Sequence, residues 1–515
     1  MQIKNITIIG GGSAGWMTAA AMSKTLKGIE ITLIESPDIP TMSVGESTLD
    51  IINEFMELVG LEDKDWMPGC SATYKTSIRF TNFLRKNYFY SDILKPVVSA
   101  DHVDVNDFYV LSKLYPDVFK SCDVSRYHDD TYHMVHKNKF FKNERNYLAW
   151  NFRKNKAYHF DAFRFGQVLK DLVAIPNGVK HVQDTVIDIV RDTKGNVISV
   201  STKNNGNFSS DLYIDCTGFK SQLLGNTLGV SFISFKDKLL NDRAVVANIP
   251  YEDKDKELTS WTECTAHDSG WFWNIPVWDR IGTGYVFSSK YVDDNKALSD
   301  FKQHLKSQYG KRADTINYNF INFEPGMREK AWSHNVVGIG ISCGFLEPLR
   351  STGLQTTQIG IRKLVNIISR ANNNVKNIDR DLYCDFMHTA YTNIRDFVLL
   401  QYVLSDREDT PYWDYMTNKV SIRGSTGTYY DELQHILHSN RVENKNSEFI
   451  KILGGVNRTP LSDDVFNSLL NRNEYDLHFY EELLRNWKLK DKELQEHAET
   501  LPTLLEYLEK NIYNT

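Results

Sequence analysis

Residues Thr7 to Ala20 read TIIGGGSAGWMTAA, and this stretch decides the fold. An apolar run, Ile6 to Ile9, enters a glycine cluster and leaves it into an alanine-rich, helix-prone segment. That order predicts strand, tight turn and helix, with a GxGxxG spacing on Gly10, Gly12 and Gly15. Gly10 permits the sharp turn, and Gly12 lets a pyrophosphate approach the backbone. Gly15 lets the helix close on the strand, so that the helix N-terminus, with Ser13 and Ala14, faces an anion.

A glycine triplet alone is weak, so its surroundings matter. A second apolar run, Ile29 to Ile34, follows the helix and ends in Glu35. That acid stands about 20 residues beyond Gly15, where a carboxylate holds the ribose hydroxyls of an adenosine. The expectation is a dinucleotide-binding α/β lobe at the start of the chain.

The totals bound the rest. At 515 residues the chain is too long for one ordinary core, so two or more lobes are expected. Hydrophobic residues at 41% argue against disorder, and a net charge of −6 gives no positive field to recruit nucleic acid. The six cysteines include no CxxC pair, which excludes zinc-ribbon and thioredoxin readings. The first strand pattern begins almost at Met1, leaving no room for a signal peptide, and no apolar run reaches membrane-spanning length. A cytoplasmic protein with no membrane partner is expected.

After Glu35, Pro37 and Pro40 break regular structure and Gly45 gives a turn. Ser47 is expected to cap a helix whose apolar positions are Leu49, Ile52, Phe55 and Met56. This segment suits a strap over a cofactor, although an ordinary loop has the same composition. From Thr73 to Phe80 the residues alternate as one strand, with Tyr74, Thr76, Ile78 and Phe80 on one face and Lys75, Ser77 and Arg79 on the other. On that pattern alone Lys75 is a solvated strand lysine.

Residues 85–156 have little periodicity. His128, His133 and His136, with Asp129 and Asp130, match no zinc signature, so no metal site is expected. Lys137 to Lys156 is basic and interleaved with Phe140, Phe141, Tyr147, Trp150 and Phe152. On an acidic protein this reads as a surface segment or substrate lid rather than a single-strand binder.

Tyr158 to Leu172 is expected to be a helix with Phe163, Val168, Leu169 and Leu172 inward. Strands are expected at Val182 to Val190, Val197 to Thr202 and Leu212 to Asp215, with Lys194 to Asn196 as a hairpin turn. The last of these runs into IDCTG, which places Asp215 and Gly218 near the cofactor. In GWFWNIPVW, Gly270 to Trp278, two tryptophans share one strand face, as core filler or as a wall beside a planar ligand. Val336 to Gly353 reads VVGIGISCGFLEPLRSTG, a strand followed by glycines but by no second acid, so it is expected to line the same cofactor. A helix follows from Gln355 to Ile368, and helical patterns dominate from Arg380. Asp406 to Trp413 is expected to be a polar loop, and Ser462 to Tyr513 an amphipathic cap.

Taken together, several of these stretches resemble one family. Gly10 to Trp16 is similar to the GxGxxGW of flavin-dependent halogenases, and of tryptophan halogenases especially. Trp271-Phe272-Trp273-Asn274-Ile275-Pro276 matches their WxWxIP motif. Tyr74-Lys75, followed by Ile78 and Phe80, resembles the segment bearing their essential lysine, and Phe345 to Leu349 with Ser351-Thr352-Gly353 resembles their halide-site loop. VGES around Gly45, HFDA from His159 and DTPYW match as well, so the resemblance spans roughly residues 1–415.

The resemblance implies an α/β fold. It has an FAD-binding Rossmann-like domain (GR2-type, monooxygenase-like) with a mixed β-sheet, and a mainly helical substrate and C-terminal region. It divides the chain into FAD-binding parts at 1–84, 157–235 and 331–370. Residues 85–156 form a substrate-region insertion, 236–330 a β-rich flavin wall and 371–515 a helical region. It implies reduced FAD from a separate flavin reductase, with O2 and halide as co-substrates and a small aromatic acceptor. Hypohalous acid would travel through an internal tunnel to Lys75, which must act as donor or nucleophile in a dry site. The cofactor would lie on Gly10, Gly12, Ser13, Ala14, Gly15, Glu35, Ser43, Gly45, Glu46, Asp215, Gly218, Gly340 and Leu349. Ser351 would assist catalysis, the backbone at Thr352 and Gly353 would hold halide, and Trp271, Trp273 and Pro276 would separate flavin from substrate. A homo-oligomer is expected.

Two departures narrow this expectation. The family carries glutamate directly before Ser-Thr-Gly, where this chain has Arg350, so the carboxylate that would polarise the oxidant or take the ring proton is absent. Ser439 to Pro460 also lacks the aromatic-rich segment that encloses free tryptophan. A phenol, indole or pyrrole is therefore expected rather than free tryptophan, with bromide or iodide favoured. The alternatives are a single-component flavin monooxygenase and a non-catalytic flavin-binding relative.

Overall fold

The computed structural model describes residues 1–38, 45–94, 115–119, 126, 129–141, 155–420 and 477–514. Two compact units divide it. The first comprises residues 1–73, 158–250 and 277–395, and the second 74–157, 251–276 and 396–515.

The first unit is built on the strand–turn–helix of the opening stretch. Strand β1 (Asn5–Ile9) leads into helix α1 (Ser13–Thr25) and then strand β2 (Glu30–Glu35). β1 pairs in parallel with β2 on one side and with β3 (Leu212–Asp215) on the other. Lys180–Gln183 extends the sheet in parallel beyond β2, and β4 (Val336–Gly338) extends it in parallel beyond β3. Trp332–Ser333 adds an antiparallel edge, giving six strands among the described residues. The central strands β1, β3 and β4 are short and almost wholly buried, as strands covered on both faces are. Ile9, Ile34, Tyr213 and Val336 join Val197, Val200, Leu223 and Leu224 in one core cluster. α1 buries Trp16, Met17 and Met22 completely, at about 1.5–3 kcal/mol for each large side chain.

Beside this sheet, Val186–Arg191, Val197–Thr202 and Gly206–Phe208 form a meander, with Gly195 at φ 93° in the expected turn. Arg243–Ile249 pairs antiparallel with Ile281–Phe287 and with Asn319–Asn322. The 18-residue helix α2 (Gly353–Arg370) includes the helix expected from Gln355.

The second unit carries a sheet in which Ser77–Thr81 lies parallel to Trp261–His267 and antiparallel to Phe89–Ile93, while Gly270–Pro276 closes a hairpin on Trp261–His267. From Asn377 the described chain is helical, in Asn377–Val403, Pro411–Asn418, Leu477–Glu499 and Leu504–Leu508.

Four local expectations are corrected. Tyr158 to Leu172 is not one helix: Ala157–Phe160 is a strand, Asp161 accepts from the Arg164 N–H as a cap, and the helix starts at Ala162. Phe165, Gly166 and Leu169 are its buried residues, and Leu172, beyond its end, is exposed. Ser47 does not cap that helix: it pairs with His159 in a two-residue strand, and the helix begins at Ile52 with Ile51 at its cap position. Asp406 to Trp413 is only partly loop, because Thr410 caps the helix from Pro411, with proline at its first position. The strand expected from Thr73 to Phe80 is interrupted at Thr76, whose N–H is taken by the Ser260 carbonyl at 2.7 Å.

Candidate active site

In the first unit the glycine turn gathers at the C-terminal ends of β1, β2 and β3 and forms a cradle. Gly10 donates to the Ile34 carbonyl at 2.9 Å and sits at φ 109°, where a Cβ would lie 2.4 Å from the Cys216 carbonyl oxygen. A Cβ on Gly15 would lie 1.9 Å from the Gly10 oxygen, while one on Gly12 would meet nothing within 4 Å. The two positions differ in kind: Gly15 is fixed by packing, and Gly12 borders open space. No side chain caps α1 at Gly12, which leaves first-turn N–H groups for an anion. Ser13 donates to the Ala162 carbonyl at 2.9 Å, tying that turn to the helix Ala162–Leu169.

Gly11 and His181 complete the cradle, and the spacing argument gave neither a role. A Cβ on Gly11 would stand 2.2 Å from the Glu35 side chain, so the middle glycine makes room for the acid. Glu35 is held in turn by His181 Nε2 at 3.0 Å, and the His181 ring meets the buried Trp16 edge-on at 5.0 Å. The unbroken glycine triplet was a visible signal for Gly11. His181 gives none, because it reaches Glu35 through strand pairing across 146 residues. Open space at Gly12, an uncapped helix and an acid at the end of β2 fit a dinucleotide such as FAD.

Asp215 is fully buried, and its carboxylate accepts from the Thr217 N–H and hydroxyl and from the Leu223 and Leu224 N–H groups. It organises the turn that presents Gly218. Gly340, at φ 71°, brings the loop after β4 onto α1: its Cβ would stand 2.9 Å from Ala14 Cβ. Ser342 reinforces this through a hydrogen bond to the Asp215 carbonyl.

The loop from Glu347 to Gly353 is buried and strained. Glu347 accepts from Asn241 at 3.0 Å. Arg350 (φ 68°) and Ser351 (φ 60°) are consecutive non-glycine residues in the left-handed region, a conformation kept mainly at functional sites. Leu349, Arg350, Ser351 and Thr352 are all buried. The Ser351 hydroxyl donates to that of Ser47 at 2.9 Å, and a Cβ on Gly353 would lie 3.5 Å from the Glu46 carboxylate. Gly45, at φ 81°, turns the chain into that segment; Ser43 lies outside the described residues.

In the second unit Lys75 is fully buried, at 0% exposed, which overturns the solvated-lysine reading. Thr76 clamps the chain behind it: its hydroxyl reaches the Ser260 hydroxyl at 3.0 Å, and its carbonyl accepts from the Leu94 N–H at 2.8 Å. Tyr74 stacks on Phe140 at 4.6 Å. Trp271 and Trp273 are buried with centroids 6.0 Å apart, on a strand that ends at Pro276. Trp273 pairs with Cys264, and Trp271 lies near Phe83 at 6.5 Å. Trp413, from DTPYW, donates to the His267 carbonyl at 2.7 Å.

The other face of this sheet is polar. The Arg79 guanidinium lies 4.1 Å over Trp261, and Glu263 accepts from Thr81 and Trp261. Burial raises the Glu263 carboxyl above its ordinary range, with those hydrogen bonds opposing. Burial lowers His136 to about 4. Among the described residues no cluster of three or more His, Cys, Asp or Glu could hold a metal. His133 instead pairs with Asp491 at 2.8 Å and His136 with Ser91 at 3.1 Å, while His128 lies outside the described residues. No described helix is long and apolar enough to cross a membrane.

A family model described as tryptophan halogenase matches residues 5–468. The tryptophan 6-halogenase SttH of Streptomyces toxytricini is 32% identical over 423 residues, covering 79% of this chain and 80% of its own. The tryptophan 7-halogenase RebH of Lentzea aerocolonigenes is also 32% identical, over 80% of this chain and 78% of its own. The apo structure of VirX1 superposes with a TM-score of 0.93 at 38% identity, over 100% of both chains.

Proposed function

The chain belongs to the tryptophan halogenase family, and from that premise we propose that it is an FADH2-dependent halogenase acting on an electron-rich aromatic ring, with Lys75 directing the oxidised halogen. The observation that carries the reading is the complete burial of Lys75. Removing an ammonium group from water costs several kcal/mol, and a strand lysine with no chemistry to do would stay solvated.

When bound, reduced flavin supplies two electrons to O2, and the balance FADH2 + O2 + X⁻ + H⁺ → FAD + HOX + H2O yields hypohalous acid. A separate flavin reductase is the proposed source of FADH2. Gly12, Ser13, Ala14 and the first turn of α1 would bind the pyrophosphate, and Glu35, fixed by His181, the ribose. Gly45, Glu46, Gly218, Gly340 and Leu349 would line the remainder. The N–H groups at Thr352 and Gly353 would hold halide, in a turn that Ser351 braces against Ser47.

Lys75 would hydrogen-bond the hypohalous acid or carry the halogen as a haloamine. The ring then exchanges hydrogen for halogen, ArH + HOX → ArX + H2O. Trp271, Trp273 and Pro276 would exclude water and flavin from that step. Arg350 stands where the family has glutamate and cannot take the ring proton, so a strongly activated phenol, indole or pyrrole fits better than free tryptophan. Bromide and iodide, more easily oxidised than chloride, fit better too. The compartment proposed is the cytoplasm.

The test combines the protein with a flavin reductase, O2 and each of chloride, bromide and iodide against a panel of phenols and indoles, scoring products by isotope pattern. Halide-dependent mass shifts that vanish in Lys75→Ala are expected. Equal products from the variant would mean that free hypohalite does the work. NAD(P)H oxidation by the protein alone, stimulated by substrate, would point to a monooxygenase, and FAD binding without turnover under any halide to a non-catalytic relative.

A further inference from the structure

Helix α2 begins at the strained loop, and its opening turns, Gln355-Thr356-Thr357-Gln358, are polar although three of these four residues are buried. Thr356 satisfies itself on the Gly353 carbonyl at 2.9 Å, and Thr357 lies 3.4 Å from the same oxygen. Gln358 does not. It is 6% exposed, and neither its carboxamide oxygen nor its nitrogen has a hydrogen-bond partner. A carboxamide offers two N–H donors and two acceptor sites, and proteins rarely bury one with all of them unmet.

The direction of the side chain follows from helix geometry. Helical side chains lean toward the N-terminus, so Gln358 covers the turn at Leu354 and Gln355, next to the loop. Arg362, one turn further on the same face, bonds Glu54 of the helix Ile52–Val59. That face therefore turns toward the helix Ile52–Val59, while Glu46, just before that helix, lies against Gly353 on another side of α2. The unmet carboxamide therefore lies on the α2 face that carries Arg362, within a turn of the buried Leu349–Gly353 loop.

We propose that Gln358 is a flavin-contacting residue, donating and accepting hydrogen bonds at a cofactor edge that itself presents both N–H or O–H and carbonyl or hydroxyl oxygen. The inference rests on the flavin reading above and adds to it a residue of this chain's own. No covalent step is involved; Gln358 binds and orients.

The experiment measures FAD affinity of the full-length chain by flavin fluorescence, alongside the thermal midpoint without FAD, for wild type, Gln358→Leu and Gln358→Glu. Gln358→Met is the second apolar variant should leucine misfold. The apolar variants are expected to bind FAD at least about ten-fold more weakly, with an unchanged or higher midpoint in the absence of FAD. The glutamate variant, which keeps acceptors and loses donors, should fall between. Apolar variants binding FAD within two-fold of wild type would overturn the inference while leaving the flavin reading intact. Wild type that binds no FAD at all would overturn both.

Discussion

The hydroxyl of Ser351 donates to the hydroxyl of Ser47 at 2.9 Å, joining positions 304 residues apart in the chain. Ser351 is the second of two successive residues with positive φ, so the bond braces backbone that is strained by roughly 1–3 kcal/mol per residue. It connects the loop proposed to hold halide with the segment proposed to lie over the flavin. Geometry at one is therefore felt at the other.

Ser47→Ala should loosen that loop without unfolding the chain. A lost neutral hydrogen bond is worth about 1 kcal/mol, so the KM for halide should rise about five-fold with kcat little changed. Halide titration at saturating FADH2 measures both. A fall in kcat at unchanged KM would contradict the bracing role.

The glycines of the opening turn should fail in different ways. Gly15→Ala drives a Cβ into the Gly10 carbonyl and should cost more than about 3 kcal/mol of stability. Gly12→Ala meets no protein atom, so its thermal midpoint should stay near wild type while FAD affinity drops at least about ten-fold, the blocked approach being to ligand. Gly11→Ala should displace Glu35 and weaken FAD binding with a smaller loss of stability. Thermal melts and FAD titrations separate the three.

Lys75→Met removes the amine of a fully buried side chain and keeps its apolar stem. Aryl halide should disappear while FADH2-driven halide oxidation continues, with hypohalous acid captured by an added thiol. Loss of both activities would place Lys75 in the oxidation step instead.

Arg350→Glu places a carboxylate directly before Ser351-Thr352-Gly353. The chloride-to-bromide product ratio in a competition assay should rise by about five-fold, close to 1 kcal/mol of discrimination. An unchanged ratio would remove Arg350 from the account of halide choice.

His136 should make the second unit acid-sensitive. Its neutral ring donates from Nδ1 to the Tyr132 carbonyl at 3.0 Å and accepts from Ser91 at Nε2. Burial holds its pKa near 4, with Arg79 and His133 opposing protonation and Asp129 favouring it. The unfolded imidazole takes its proton near 6.5. Between those values the unfolded chain binds more protons, so stability falls as pH drops through this window. The loss by pH 5 should be on the order of 2 kcal/mol. Urea unfolding at pH 7 and pH 5 should show it in wild type and much less in His136→Gln.

The amino-acid order settled whatever depends on neighbours along the chain. TIIGGGSAGWMTAA fixed strand, turn and helix, because the glycine positions and the apolar periods are local properties. The family motifs were equally readable, since each is a short run. Local pattern could not say that Lys75 is buried. Its alternation with Tyr74 and Thr76 suits a solvated face, and only tertiary packing removes Lys75 from water. Nor could it pair His181 with Glu35, Ser351 with Ser47 or Asn241 with Glu347. Those bonds join residues more than 100 positions apart, and strand order and helix docking bring them within reach. The burial of Gln358 with its carboxamide unmet belongs to the same class, because a helical period gives a residue's face but not what stands opposite it.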